Sequence, residues 1–336
     1  MIRRSGRTWQ YDPGVGIRTT AAVCGPREGE GPLIKDFDFV MPDLRMGMGS
    51  FEKAEQAMEE KAVRCALDKA CLLPEDVDIF FAGDLINQIT PSGFTARSLG
   101  SPYLGLFSAC ATIGEALSLA ALTVAAGVAD NTLVSASSHT CTAERQFRYP
   151  NEYAAQRPPY SQSTATLAGA ALLCRESASV RITAVTIGRV RDEKVTDPFQ
   201  MGAAMAPAFA DTVAAHLCDM GVGPEHYDMI LSGDLGRIGQ AIAAELLNGM
   251  GVDARRTVLA DCGLMLLGGS EKAFAGCSGC GCAAGVGLGH IYRRIREGEL
   301  RRVLLCPTGA LLSPLSVQQK ESIPAICHAV ALEGGE

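Results

Sequence analysis

From Phe51 the apolar positions recur at Ala54, Met58, Ala62 and Cys65, the three-and-four spacing of one helical face. Ser50 stands before that stripe as an N-cap, and Pro74 stops it. Val77-Asp78-Ile79-Phe80-Phe81-Ala82, closed by Gly83-Asp84, predicts a buried strand. A second short run, Tyr103 to Phe107, predicts another. Ser108-Ala109-Cys110 then turns the chain into a long Ala/Leu-rich helix from Ala111, with Gly127 as its C-terminal cap. Thr132 to Ala136 and Ala168 to Cys174 read as strands. Between them lies a long polar and aromatic stretch, SSHTCTAERQFRYPNEYAAQRPPYSQST.

The same order returns in the second half. Val180 to Val190 mirrors Ile17 to Pro26, aligning Gly188 with Gly25. A helix from about Ala206 to Met220, ended by Gly221, leads to YDMILSGDLG, which repeats VDIFFAGDLI and matches Gly233-Asp234 with Gly83-Asp84. Ser278-Gly279-Cys280 repeats Ser108-Ala109-Cys110, a helix follows, and Val303 to Cys306 stands where Leu133 to Ala136 stood. Three matches in one order, with the same element types between them, predict a duplicated α/β body. The halves divide as 1–178 and 179–336. Strand–helix–strand units with right-handed crossovers imply two largely parallel sheets, each covered by helices, with the two repeated helices packed between them.

Composition agrees with such a body. Apolar residues make up 47% of 336 and charged residues 20%, so a large core forms without staples. The net charge of −7 argues against a nucleic-acid partner. The apolar stretch Ala109 to Ala129 has membrane-spanning length, but it carries Glu115 and follows a strand directly, so it reads as a buried central helix. Thirteen scattered cysteines, with no secretory pattern at the N-terminus, imply a reducing compartment rather than a disulfide framework.

Ligands in parallel α/β sheets sit beyond the carboxyl ends of strands, against helix N-termini. Cys110 and its repeat mate Cys280 fall there, as do Asp84 and Asp234. At a helix N-terminus the peptide dipoles favour a thiolate, so Cys110 is expected to be the most reactive thiol if it is exposed. The opposing reading is a buried packing cysteine. The aspartates have a bland reading too, as caps of the helices that follow them. Cys262, Cys277, Cys280 and Cys282 cluster in sequence, but a C-x-x-C-x-C run in a Gly-rich turn, without a second pair, is not a metal motif, and no metal or cofactor is expected.

A duplicated half with a cysteine before its first central helix resembles the thiolase and ketoacyl-synthase superfamily, over nearly the whole chain. More particular strings narrow it: AGDLINQ, SSHTCTAERQFRYPNEY, TDPFQMGAAMAPA, CSGC and TGALLSPLSVQQKESIP are similar to the stage V sporulation protein AD family. That resemblance implies a five-layered α-β-α-β-α body. It also implies binding of dipicolinic acid (pyridine-2,6-dicarboxylate), free or as its calcium chelate. The implied setting is the inner membrane of the spore, beside small integral membrane partners, with loading of the developing spore and release at germination. A homodimer joined at edge strands near Thr132 to Ala136 is expected as well.

Condensing enzymes of the superfamily pair their cysteine with two second-half residues, His with His or His with Asn. Here Gly233 to Arg237 contains no histidine, and Gly276 to Cys282 neither histidine nor asparagine. The expectation is a pseudoenzyme that keeps the pocket and has lost the chemistry; the alternative is an acyl-transferase using Cys110 as nucleophile. Candidate ligand contacts are Cys110, His139, Asp84, Arg145, Asp234, Ser278 and Cys280, with Arg148, Tyr149 and Tyr153 as further cations and aromatic faces for a planar dianion.

Overall fold

The computed structural model describes residues 1–147, 157–176, 178–268 and 274–335. Five strands of the first half are β1 (Thr8–Cys24), β2 (Ile79–Gly83), β3 (Tyr103–Gly105), β4 (Asn131–Ser138) and β5 (Leu167–Cys174). Five of the second are β6 (Val180–Thr186), β7 (Met229–Ser232), β8 (Val258–Asp261), β9 (Arg302–Cys306) and β10 (Ala329–Gly334). The spatial order in the first half is β3-β2-β4-β5-β1, and in the second β8-β7-β9-β10-β6. One pattern is thus used twice.

The helices repeat likewise. Helix α1 (Phe51–Ala70) starts where Ser50 Oγ accepts the Lys53 N–H at 3.3 Å. It packs on β1, β4 and β5, beside α2 (Thr90–Leu99). Helix α3 (Thr112–Ala125) touches strands of both halves. On the far side, α4 (Met201–Met220) and α5 (Gly236–Gly249) pack together over the second half. The mate of α3 is α6, running as Cys280–Gly285, then a π-helical stretch Val286–Ile291, then Tyr292–Arg296. Three core clusters follow these layers. One lies under α1 and α2, one around α3 and α6, and one under α4 and α5. The result is the five-layered arrangement.

Two expectations change. The sheets are mixed rather than largely parallel, and they are continuous. β2, β3 and β4 run parallel, but β5 begins beside Ser138 at the carboxyl end of β4 and returns antiparallel. The long polar insertion brings the chain back at the same end, so no crossover occurs. β1 and β6 then pair antiparallel, with Thr8 opposite Thr186 and Gly16 opposite Arg181, which joins the halves. The part of β1 that mirrors β6 in sequence, from Ile17 on, pairs instead with β5. Thr132 to Ala136, expected at an edge, lies buried in β4 between two neighbours. The open edge of the first half is β3, flanked by Leu104 and Phe107, each about half exposed. Helix α4 also begins five residues earlier than expected and carries Pro207 inside it.

No helix among the described residues is long and apolar enough to cross a membrane.

Candidate functional site

The turn that delivers Cys110 is built on strain. Ala109 adopts φ +49°, a left-handed conformation that residues with a Cβ avoid, at a cost on the order of 1 kcal/mol. Its repeat mate Gly279 sits at φ +118°, open only to glycine, and presents its N–H to Asp234 Oδ2 at 3.2 Å. Two kinked turns therefore face each other across the pseudo-symmetric centre. Each is followed by a cysteine and a central helix.

Cys110 lies buried at that junction, against the Asp234 carboxyl, the Cys280 thiol and the Gly279 N–H. Burial pushes its thiol well above the ordinary range, and the neighbouring Asp234 and Cys280 push the same way. The condition attached to a reactive thiol, exposure, is not met: Cys110 is buried, and burial favours the neutral thiol. Asp234 is equally buried, which lifts its carboxyl to about 7. It takes a hydrogen bond from Cys110 and another from Thr308 Oγ1 at 2.7 Å, while Gln162 Nε2 donates to its main-chain carbonyl at 2.5 Å. Asp261 fixes the loop beneath by accepting Ser232 Oγ at 2.6 Å and the Leu235 N–H at 2.7 Å. Cys110 lines a small, mostly apolar cavity of about 30 Å³ together with Leu85, Pro198, Met201 and Leu312, with the polar residues Thr164 and Ser278 also in its lining.

Of the residues singled out from sequence, the structure brings Cys110, Asp234, Ser278 and Cys280 together. Cys280 donates its thiol to the Ser137 carbonyl at 2.8 Å and is wholly buried. The other three do not line the Cys110 cavity. Asp84 accepts the N–H groups of Ile86 and Ser92 at 2.8 and 2.9 Å, which makes it the cap of α2. His139 is spent on the fold: Nε2 donates to the Leu44 carbonyl at 2.8 Å, Nδ1 accepts the Cys141 N–H, and its ring packs on Phe51. Arg145 is exposed and pairs with Glu52. Arg148, Tyr149 and Tyr153 lie outside the described residues.

Sequence reasoning missed Thr308, Gln162 and Asp261. Asp261 was findable, because it precedes an apolar helical run as an N-cap and accepts the Leu264 N–H. Thr308 and Gln162 carry no local signal. It also missed a second group of acids. Glu55 and Glu59 of α1 are fully buried beside Asp84, held by Thr142, Ser137, Ser135 and Ser92. Burial lifts Glu59 to about 8 and Asp84 to about 6, and pushes Glu55 well upward. Cys262, Cys277, Cys280 and Cys282 do not assemble a ligating cluster among the described residues.

None of the five histidines of the sequence stands against Cys110. His216 bridges Thr186 and Tyr227, His290 donates to Asp36, His328 accepts the Gly188 N–H, and His226 stacks edge-on with Tyr227.

The fold matches solved condensing enzymes. The 3-oxoacyl-[acyl-carrier-protein] synthase III of Aquifex aeolicus superposes with a TM-score of 0.58 at 14% identity, covering 95% of this chain and 100% of that one. That of Pseudomonas aeruginosa gives 0.56 at 15%, over 96% and 99%. At such identities the likeness speaks for architecture alone. Sequence goes further. The stage V sporulation protein AD of Bacillus subtilis (strain 168) is 42% identical over 327 residues, 97% of this chain and 96% of that protein. The family model for stage V sporulation protein AD spans residues 5–333. With both halves, both turns and the intervening insertion inside that span, the chain belongs to the stage V sporulation protein AD family.

Proposed function

We propose that this sporulation protein binds dipicolinate in the pocket beside Cys110, and that it does so without catalysis. The observation that carries the reading is Asp234. A carboxyl lifted to about 7 and set behind Cys110 is half protonated near neutrality, and with its proton on it puts no like charge next to a carboxylate in the pocket. The neutral Cys110 thiol and the lining residues Thr164 and Ser278 add uncharged polar groups, and the apolar walls suit a flat ring. The cavity has room for about one or two waters. A rigid diacid therefore enters only when Met201 and Leu312 swing aside.

The rival reading is acyl transfer by Cys110. It lacks the histidine partner of a condensing enzyme, since every histidine is engaged elsewhere or distant, and the thiol's acidic neighbour, Asp234, pushes its pKa up rather than down. In this reading the bound diacid, free or as its calcium chelate, is handed to integral membrane partners at the spore inner membrane. Uptake into the developing spore and release at germination are the two directions of that transfer. The protein works there as a homodimer.

Calorimetry with dipicolinate, alongside intact-mass measurement after incubation with acetyl- and longer acyl-CoA, separates the two readings. Saturable binding lost in Cys110→Trp, with no adduct in the wild type, supports the proposal. A Cys110-dependent acyl adduct without dipicolinate binding at millimolar ligand would overturn it.

A further inference from the structure

Away from Cys110, the end of α6 shapes an open cleft of about 450 Å³ against β1, the Lys35–Asp38 turn and the end of α1. In a chain of net charge −7, five cationic side chains from four separate elements converge on it: Arg18, Lys35, Lys69, Arg293 and Arg296. Two acids share the wall, and both are committed. Asp36 is held by His290 Nδ1 at 2.5 Å and by Arg293. Asp38 takes Lys69 Nζ at 2.6 Å and the Ala22 N–H at 2.9 Å. That leaves Arg18, which donates to the neutral Ala70 carbonyl, and Lys35; neither has an ion pair among the described residues. Arg296 reaches only Glu297 at 3.6 Å, an acid already held by Arg293 at 2.7 Å.

The helix beside this cleft departs from its repeat. Helix α3 is regular throughout, whereas α6 widens into a π-helical stretch at Val286–Ile291, where Leu288 and Gly289 line the cleft. Such stretches are rare and gather at functional sites. Gly289 is required there, because a Cβ would lie 2.9 Å from the Asp36 carbonyl and push the Lys35–Asp38 turn away. The irregular winding and the glycine together bring that turn, with Lys35 on it, onto the helix carrying Arg293 and Arg296.

The geometry points to a second ligand site: a cleft that takes a small multiply charged anion, with Arg18, Lys35 and Arg296 as its least committed cations among the described residues and Tyr292 in its lining. It is independent of the reading of the Cys110 pocket. Several converging cations form charge-assisted hydrogen bonds to carboxylate or phosphate oxygens, and solvent screening makes such binding salt-dependent. The two oxygen chemistries are separated by probe: inorganic pyrophosphate for phosphate, citrate for carboxylate.

The experiment is calorimetry of the full chain with pyrophosphate and with citrate at low ionic strength, repeated in 0.3 M salt and in the double variant Lys35→Glu/Arg296→Glu. Both substituted residues are exposed at the cleft, and a thermal melt checks that the variant folds as the wild type does. The expected result is saturable binding of one probe or both, weakened at least about tenfold in the double variant and weakened by salt. The tighter probe names the oxygen chemistry. Dipicolinate binding tied to Cys110 is expected to persist in the double variant. Equal affinities in wild type and variant, or no saturation by either probe at 10 mM, would overturn the assignment.

Discussion

Thr308 donates its hydroxyl to Oδ1 of Asp234 at 2.7 Å while the Gly279 N–H reaches the other oxygen at 3.2 Å. Donors of that kind favour the carboxylate, yet burial outweighs them and the group titrates at about 7. The candidate pocket therefore has a charge that changes near neutrality. If dipicolinate binds beside it, affinity falls as pH rises from 6 to 8, because the deprotonated Asp234 repels the dianion. One linked proton sets a limit of about tenfold per pH unit. Asp234→Asn is expected to remove that dependence, and titration calorimetry of both proteins at pH 6, 7 and 8 checks it. A wild-type affinity that is flat with pH would remove Asp234 from the site.

The buried acids of α1 predict an unusual stability profile. Glu59 has a folded value of about 8 against an ordinary 4.5, so between those values the folded chain keeps a proton that the unfolded chain has released. The stabilisation is complete below about 4.5 and is lost as pH rises through 8. Asp84, at about 6, adds to the same slope at lower pH. Urea unfolding at pH 6 and 8 is expected to show a loss on the order of 2 kcal/mol, at about 1.4 kcal/mol per unit for one group. Glu59→Gln should flatten most of that difference.

Thiol labelling should rank the cysteines by exposure. Cys71 and Cys218 are exposed and Cys110 is buried with its thiol pushed upward, so iodoacetamide is expected to modify the first two long before Cys110. Peptide mapping over a time course decides it. Rapid modification of Cys110 would mean that the pocket opens often, and millimolar dipicolinate should then protect it.

The free edge of β3 predicts the surface of a homodimer. Leu104 and Phe107 are about half exposed there, and an unpaired apolar edge is a template for a second copy. Light scattering at micromolar protein is expected to give a dimer, and Leu104→Arg/Phe107→Arg a monomer. A monomeric wild type would sink the assignment.

Much of this architecture was legible because each element carries its own period. Helix α1 declares itself by stripe and cap, β2 by an unbroken apolar run, and the duplication by Gly83-Asp84 against Gly233-Asp234. What stayed hidden depends on neighbours distant in sequence. That β4 lies between two neighbours and β3 at the edge follows from pairing order, and the sequence misleads, since the edge strand is the more apolar of the two. The upward push on Cys110 comes first from burial and then from Asp234 and Cys280, more than 120 residues away, none of which the helix terminus alone reveals. His139 looked available because its acceptor, the Leu44 carbonyl, leaves no mark in the sequence.

The joining of β1 to β6 has a consequence for synthesis on the ribosome. β6 follows β5 almost at once along the chain, so the bare edge of β1 is covered soon after the first half has emerged. The other edge of β6 waits for β10, about 140 residues later, which at ribosomal speeds of about 5–20 residues per second is on the order of ten seconds. Throughout that interval the nascent second half presents an open row of main-chain donors and acceptors to any strand nearby. The vulnerable species in making this protein is therefore the nearly finished chain, and deletion of the last six-residue strand should cost more soluble product than any truncation of equal length elsewhere.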